Sequence, residues 1–360
     1  MKNKTVYNIF PSLLKTRIWG IVIFPFSLLY GMVISVKNLL YNKKLILPVK
    51  VSTKVISVGN ITVGGTGKTP LVKTLASMLT KYNYRIAVIS RGYGGREKGI
   101  TCVSDGTNIL SEIKTSGDEP LLLAENLPGI PVVAGKHRIK AAQYAINNFN
   151  SEIIILDDGF QHRKIHRDID IVTINAANPW GNRMLLPGGP LRERLKNLTR
   201  ADVFVITNAD KSEKIGKIKS LIKKYSPHPV FLTQHNPVSF FTAENKKIEL
   251  PDFKNQSIIA FSGIANPVLF RTSLINIGCV IKKFIPFPDH HFYTDADLKQ
   301  LQTIALHNKV RAIITTEKDM VRINKWDNQE MPLYYLKIEL TFISELNKFK
   351  QIITNKLNQP

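Results

Sequence analysis

The chain has 360 residues, and that length suggests two domains of roughly 150–200 residues each. Hydrophobic residues make up 44% and charged residues 21%, a globular composition that excludes a disordered tail protein, a collagen-like repeat and a polytopic membrane protein. Lys and Arg number 50 against 27 Asp and Glu, and the net +23 implies an anionic partner: nucleic acid, a phospholipid surface or a phosphorylated substrate.

Residues 18–36, IWGIVIFPFSLLYGMVISV, hold no charge over 19 positions. As a helix they measure roughly 28 Å, close to the thickness of a hydrocarbon core. Lys15 and Arg17 flank one end and Lys37, Lys43 and Lys44 the other, with no small-residue cleavage site after them. A span would carry Lys2, Lys4, Lys15 and Arg17 across the bilayer, which cation-rich segments resist. Pro25 also interrupts the helix near its middle. A kinked monotopic anchor is therefore expected, ahead of a span or a buried core helix. Residues 1–50 are read as this membrane-associated helix and a basic connector ending near Pro48. The cationic flanks suit an anionic membrane surface.

From Val51 short apolar strands alternate with helical stretches. Strands are predicted at 50–61, 85–90, 152–159, 168–176 and 201–209, and helices at 70–82, 121–127 and 137–149. Continuous apolar runs between helices indicate a parallel sheet covered on both faces. The first α/β domain is placed at 51–228, a two-stranded linker at 229–256 and a smaller C-terminal α/β domain at 257–360. Cys102 and Cys279 are too few for a disulfide framework or a zinc site and read as reduced thiols.

GNITVGGTGKTP (59–70) lies between a predicted strand and a helix, the setting of a P-loop. Such a loop needs glycines so that backbone N–H groups can turn inward around phosphate oxygens. Gly64, Gly65, Thr66 and Gly67 supply the turn, Lys68 the cation and Thr69 a hydroxyl for Mg²⁺. The usual first glycine is replaced by Thr62. IIILDDG ends a buried strand in Asp157 and Asp158, carboxylates able to hold Mg²⁺ or its water. VFVITNAD (203–210) lacks the Lys of a guanine site and leaves Asp210 as a loop residue, so ATP is expected rather than GTP.

Further motifs surround this pair. SRGYGGR carries Arg91, Tyr93 and Arg96. SGDEP sets Asp118 before a helix, as a cap or as a base for a hydroxyl proton. DDGFQHRKIHRD crowds His162, Arg163, Lys164, His166 and Arg167 after the carboxylates. LLPGGPLRER offers Arg192 and Glu193, and FPDHHFYTDAD offers Asp289, His290 and His291. Zinc at the two histidines lacks further ligand spacing.

Together GNITVGGTGKTP, SRGYGG, SGDEP, DDGFQHR, LLPGGPLRER, FPDHHFY and TTEKD resemble the tetraacyldisaccharide 4'-kinase (lipid A 4'-kinase) family, over about residues 55 to 320. The Thr62 departure is the form that family shows. The resemblance implies two α/β domains joined by a two-stranded linker, and transfer of the ATP γ-phosphate to the 4'-hydroxyl of a tetraacylated disaccharide 1-phosphate, with Mg²⁺. By the same resemblance Lys68 is catalytic, and Asp118 is the base assisted by His290 in preference to His291. Thr62, Gly64, Gly65, Thr66, Gly67, Lys68, Thr69, Arg91, Tyr93 and Arg192 would meet the nucleotide or sugar. Thr69, Asp157, Asp158 and Glu193 would support the metal. Lys318 and Asp319 of TTEKD match without a derivable role. The location implied is the cytoplasmic face of the bacterial inner membrane, with no obligate protein partner. The competing reading is a membrane-bound P-loop ATPase switch for targeting or transport. A nucleic-acid binder is motivated only by charge and lacks a recognised motif.

Overall fold

The computed structural model describes residues 17–95, 99–211, 213–323, 325–326 and 331–359, with backbone alone at 17–22 and 211. Arg96, Lys2, Lys4 and Lys15 therefore lie outside the described residues, as does the Arg17 side chain.

The chain opens with helix α1 (Arg17–Asn42), which runs through Pro25 without ending. Among the described residues, thirteen strands then form one sheet. In chain order the elements are β1 (Lys54–Gly59), α2 (Lys68–Thr80), β2 (Ile86–Ser90), β3 (Ile100–Ser104), α3 (Ile113–Ser116), α4 (Asp118–Asn126), β4 (Val132–Gly135), α5 (Arg138–Phe149), β5 (Ile153–Asp157), β6 (Ile169–Asn175), β7 (Val203–Thr207) and α6 (Ile215–Tyr225). After them come β8 (Val230–Thr242), β9 (Lys247–Ile248), β10 (Ser257–Ser262), α7 (Pro267–Ile277), β11 (Val280–Pro286), α8 (Asp295–His307), β12 (Ala312–Thr316), α9 (Glu317–Met320), β13 (Leu333–Phe342) and α10 (Leu346–Leu357).

The spatial order is β11-β10-β12-β13-β8-β7-β6-β1-β5-β2-β4-β3, with β9 paired to β8. Why the central strands read as unbroken apolar runs is visible at β5. Ile153 and Ile155 join one core cluster with Leu71, Leu75 and Leu79 of α2. Ile154 and Leu156 join another with Ala141, Ala142 and Ala145 of α5. Both faces are covered, so neither can carry a polar side chain cheaply.

β8 belongs to both halves of the sheet. Phe204–Ile206 of β7 pair with Val230–Leu232 of β8 in parallel. Beyond that point β8 runs antiparallel to β13, from Thr233 opposite Phe342 to Thr242 opposite Tyr334. The linker expectation changes in one respect here. Within 229–256 the second strand is only the two-residue β9, and the long partner of β8 is β13, far down the chain. Strands without a sequence-based prediction also appear, β3, β4, β11 and β13. β4 pairs in parallel with β2, and the edge strand β3 pairs antiparallel to β4.

Candidate active site

β1 delivers the glycine loop at its carboxyl end, between β5 and β6, where open parallel sheets place their ligands. Gly67 caps α2 with φ 79°. A Cβ there would stand 2.8 Å from the Thr207 methyl, so the position needs glycine for both backbone and space. Thr66 is buried, its hydroxyl 2.9 Å from Asn60 Nδ2 and 2.8 Å from Thr173 Oγ1. The Thr207 hydroxyl donates to the Thr66 carbonyl at 3.1 Å, and Asn175 Nδ2 to that of Gly65 at 3.1 Å. Gly64, with φ 100°, and Gly65 stay exposed on the loop.

The structure explains Thr62. It forms an isolated antiparallel bridge with Leu191 and is 5% exposed. Arg192 N–H donates to the Ile61 carbonyl at 2.9 Å, and Val63 N–H to that of Pro190 at 2.8 Å. A β-branched residue suits this buried, extended pairing better than glycine. The loop is thus stapled to the segment that carries Arg192.

Asp157 and Asp158 end β5 with different surroundings. Asp158 adopts φ 54°, and its carboxylate accepts from Arg192 Nη1 at 2.8 Å to each oxygen and lies 3.6 Å from Lys68 Nζ. Burial would raise its pKa, but Lys68 and Arg192 outweigh it and hold the group at about 2. Asp157 is 2% exposed and its pKa is raised, chiefly by burial and then by the Glu119 charge. Its Oδ1 is buried and has no hydrogen-bond partner among the described residues. An orphaned carboxylate oxygen beside a phosphate loop is the kind of atom a hard cation satisfies. Mg²⁺ commonly takes one or two protein carboxylates and completes its shell with phosphate and water. Asp157, Asp158 and the half-buried Thr69 therefore fit such an ion.

Glu193 has a different setting. Its carboxylate accepts from Asn38 Nδ2 at 2.8 Å, Asn197 Nδ2 at 2.9 Å and Arg200 Nη2 at 2.9 Å, and it is 2% exposed. Those three donors tie Glu193 into a buried ion pair with Arg200, whereas the unpartnered carboxylate oxygen beside the glycine loop, among the described residues, is Asp157 Oδ1.

The second group of residues comes from distant chain segments. Gly117, which precedes α4, has φ 90°, ψ 167°, and a Cβ there would meet the Tyr93 carbonyl oxygen at 2.2 Å. The turn bearing Arg91 and Tyr93 thereby lies backbone-on-backbone against the start of α4. Gly117→Ala should lower the unfolding free energy by about 1–3 kcal/mol, since that backbone region is essentially confined to glycine. Equilibrium denaturation would measure this, and an unchanged midpoint would refute it.

Asp118 is 4% exposed. Its Oδ2 accepts from His290 Nδ1 at 2.8 Å, from Arg322 Nε at 2.9 Å and from Arg322 Nη2. Oδ1 takes the Glu119 N–H at 2.9 Å. Burial would raise this carboxyl, but the His290 hydrogen bond and the charges of Lys318, Arg322 and His290 hold it well below the ordinary range. His290 has φ 60°, and its N–H donates to the Gly263 carbonyl at 3.0 Å. Tyr93 packs near the imidazole, ring centroids 5.8 Å apart. His291 turns elsewhere, with Nε2 3.0 Å from Asp297 Oδ2 and its ring stacked on Phe287. Arg91 is exposed beside Tyr93.

Arg322 went unrecognised in the sequence, as did the role of TTEKD. Arg322 Nη1 donates to the Gly263 carbonyl at 2.8 Å and to Asp319 Oδ1 at 3.2 Å. Asp319 is fully buried and also accepts from Tyr293 OH at 2.9 Å, Gly263 N–H at 3.0 Å and the Thr316 hydroxyl at 2.6 Å. Asp319 thus fixes Arg322, and Arg322 fixes Asp118. Lys318 pairs with Glu119 at 3.3 Å, and Glu317 with Lys73 of α2 at 3.2 Å. Arg138 was also missed. It is 2% exposed and donates to the Gly135 and Asp157 carbonyls, each at 2.9 Å. His162 is kept neutral, its pKa lowered to about 4 by burial and by the charges of Arg138, Lys37, Arg167 and Lys164. Asn208, in the guanine-motif position, is engaged by His235 at 2.8 Å and by Asn175 at 3.1 Å.

The family model described as Tetraacyldisaccharide-1-P 4'-kinase matches residues 19–358. A tetraacyldisaccharide 4'-kinase of Syntrophus aciditrophicus (strain SB) is 39% identical over 328 residues, covering 88% of this chain and 87% of its own. One from Desulfatibacillum aliphaticivorans is 38% identical over 348 residues, covering 94% and 93%. Among solved structures, the "apo" form of LpxK from Aquifex aeolicus in complex with ATP superposes with a TM-score of 0.76 at 32% identity, over 93% of this chain and 98% of that one. The chain belongs to the tetraacyldisaccharide-1-phosphate 4'-kinase family, ATP-dependent kinases acting on a hydroxyl group in lipid A biosynthesis.

Proposed function

We propose that this protein transfers the γ-phosphate of ATP to the 4'-hydroxyl of a tetraacylated disaccharide 1-phosphate, at the cytoplasmic face of the bacterial inner membrane. The observation that carries the reading is the Asp118 carboxylate, held by His290 and Arg322 from the C-terminal half of the chain, next to Glu119, whose charge acts on Asp157 at the phosphate loop. A hydrolytic switch has no use for a base placed to receive an acceptor hydroxyl.

The chemistry needs positioning and charge neutralisation more than covalent work. Lys68, the loop N–H groups and Arg192 would face the phosphates. Bound Mg²⁺, held by Thr69, Asp157 and Asp158, would neutralise further phosphate charge. Asp118 Oδ1 keeps lone-pair capacity for the sugar hydroxyl, because the three strong donors crowd Oδ2. His290 orients that carboxylate. Its low proton affinity matches a loose phosphoryl transition state, in which the attacking oxygen gives up its proton late.

α1 supports the membrane assignment by an inverted polarity. Phe26, Leu29, Met32, Val33 and Val36 are more than half exposed, while Ser27 and Asn38 are buried against the protein. A continuous apolar face of this kind suits lipid rather than water. The helix satisfies the length and hydropathy of a membrane span over Ile23–Asn42, yet its buried stripe favours lying along the protein as a monotopic anchor.

The test is phosphate transfer by the purified full-length protein in detergent, with γ-labelled ATP, Mg²⁺ and tetraacyldisaccharide 1-phosphate. Label in a bisphosphorylated lipid is expected. Label only in free phosphate, at a rate indifferent to the lipid, would overturn the reading in favour of the ATPase switch.

A further inference from the structure

The polar stripe of α1 does not rest on a neutral surface. It rests on the two loops that shape the phosphate site. Gly188 N–H donates to Ser27 Oγ at 2.8 Å. Tyr30 OH donates to the carbonyl of Arg192 itself at 2.9 Å. Lys37 Nζ donates to the Gln161 carbonyl at 3.1 Å. Gln161 in turn accepts from Arg192 Nη1 at 3.3 Å and donates to the Asn60 carbonyl, beside the glycine loop, at 2.7 Å.

Asn38 is the centre of this contact and is 6% exposed. Its Nδ2 donates to Glu193 at 2.8 Å, and its Oδ1 accepts from Arg163 Nη1 and Arg200 Nη1, each at 3.2 Å. One amide therefore bridges both loops, and every partner is charged. Glu193 adjoins Arg192 in sequence, and Arg192 grips Asp158. Such a site is more than a helix needs for adhesion. Buried charged groups demand a partner of fixed geometry, and an amide with one donor face and one acceptor face satisfies opposite charges at once.

We infer that α1 is a working part of the phosphate site, with Asn38 and Tyr30 as positioning residues that hold the Arg192 loop against Asp158 and the glycine loop. Membrane seating and nucleotide binding then share one helix. Its apolar face engages lipid, and its polar stripe sets the loops. This rests on the kinase reading for its consequence in turnover, but its effect on nucleotide binding can be measured apart from it.

The experiment uses the full-length protein in detergent and trinitrophenyl-ATP with Mg²⁺ as the fluorescent probe. Tyr30→Phe removes one oxygen and should weaken probe affinity about threefold to tenfold, the range of one lost hydrogen bond. Asn38→Leu should weaken it about tenfold or more, because Glu193, Arg163 and Arg200 each lose a partner. In the transfer assay KM for ATP should rise more than KM for the lipid acceptor. Both variants should float with phosphatidylglycerol vesicles as the wild type does. The contrasting variant, Phe26→Ser with Leu29→Ser on the lipid-facing side, should lose flotation and keep probe affinity. Wild-type affinity and turnover in both Tyr30→Phe and Asn38→Leu would overturn the inference, and so would affinity that falls only where flotation falls. Should Asn38→Leu fail to fold, Tyr30→Phe decides. A wild type that binds the probe but phosphorylates no lipid would remove the kinase reading and leave the binding result to judge this proposal.

Discussion

Asp118→Asn is expected to reduce kcat by about 10²- to 10⁴-fold, the usual worth of a positioned general base, while the Kd for ATP changes less than about twofold. The carboxamide fills the same buried space and keeps an acceptor for Arg322, so the fold should survive. What it loses is the negative charge and the free lone pairs at Oδ1, where the sugar hydroxyl would deliver its proton. Lys68 lies at the phosphate loop and answers to Asp158, not to Asp118, so nucleotide binding has no direct route to the change. Rapid-quench measurement of a single turnover, with ATP affinity determined separately, separates the two steps. A large loss of ATP affinity with near-normal chemistry would place Asp118 in the phosphate or metal shell and remove it as base. His290→Ala should give a smaller fall in kcat, because Arg322 still holds the carboxylate.

The glycine loop, Asp157 and Asp158 were legible because their chemistry is contiguous. A strand, a turn and a helix start fall within twelve residues of sequence, and β5 shows its double burial as an apolar run. Asp118 and His290 were each visible in a local motif, but their pairing was legible only through the resemblance, since 172 residues separate them and nothing local says they meet. Arg322 was not legible at all. It lies 204 residues from Asp118, and an arginine shortly after a helical turn reads as a surface cation. The same distance effect hides Asn38 from Glu193, which are 155 residues apart. β3 escaped notice because ITCVS is short and lies at the sheet edge, where burial on one side leaves Ile100 to Cys102 only partly covered. β13 was read only as part of the C-terminal domain, while its pairing with β8 is set by tertiary packing that no periodicity reveals. The surroundings of Glu193 were hidden for a related reason. Its expected metal role came from the resemblance alone, while successive residues on an extended loop point apart, and Glu193 turns inward to Arg200 and Asn38.

Arg322→Lys should lower kcat by about 10- to 100-fold with little effect on ATP affinity, and should move the acid limb of the kcat profile to higher pH. The guanidinium presents Nε and Nη2 together to Asp118 while Nη1 reaches Asp319. An ammonium cannot reproduce that fork, so the carboxylate gains freedom to rotate away from the acceptor. The pH shift follows from charge. Arg322 favours the carboxylate over the acid, so loosening it lets the depressed Asp118 pKa climb toward the ordinary range. The base form then disappears at a higher pH as the solution is acidified. Stability moves in the same sense. The depressed pKa contributes folding free energy above the ordinary carboxylate range, and that contribution is lost as pH falls through the folded value. Weakening Arg322 shrinks it. Arg322→Met is the harsher change, since it strands two buried carboxylates, Asp118 and Asp319, and should cost about 3–5 kcal/mol of stability. The lysine variant therefore carries the kinetic test and the methionine variant the stability test. If the lysine variant keeps wild-type kcat and an unmoved acid limb, while the methionine variant still loses stability, Arg322 is a strut between the two halves of the chain and takes no part in aiming the base.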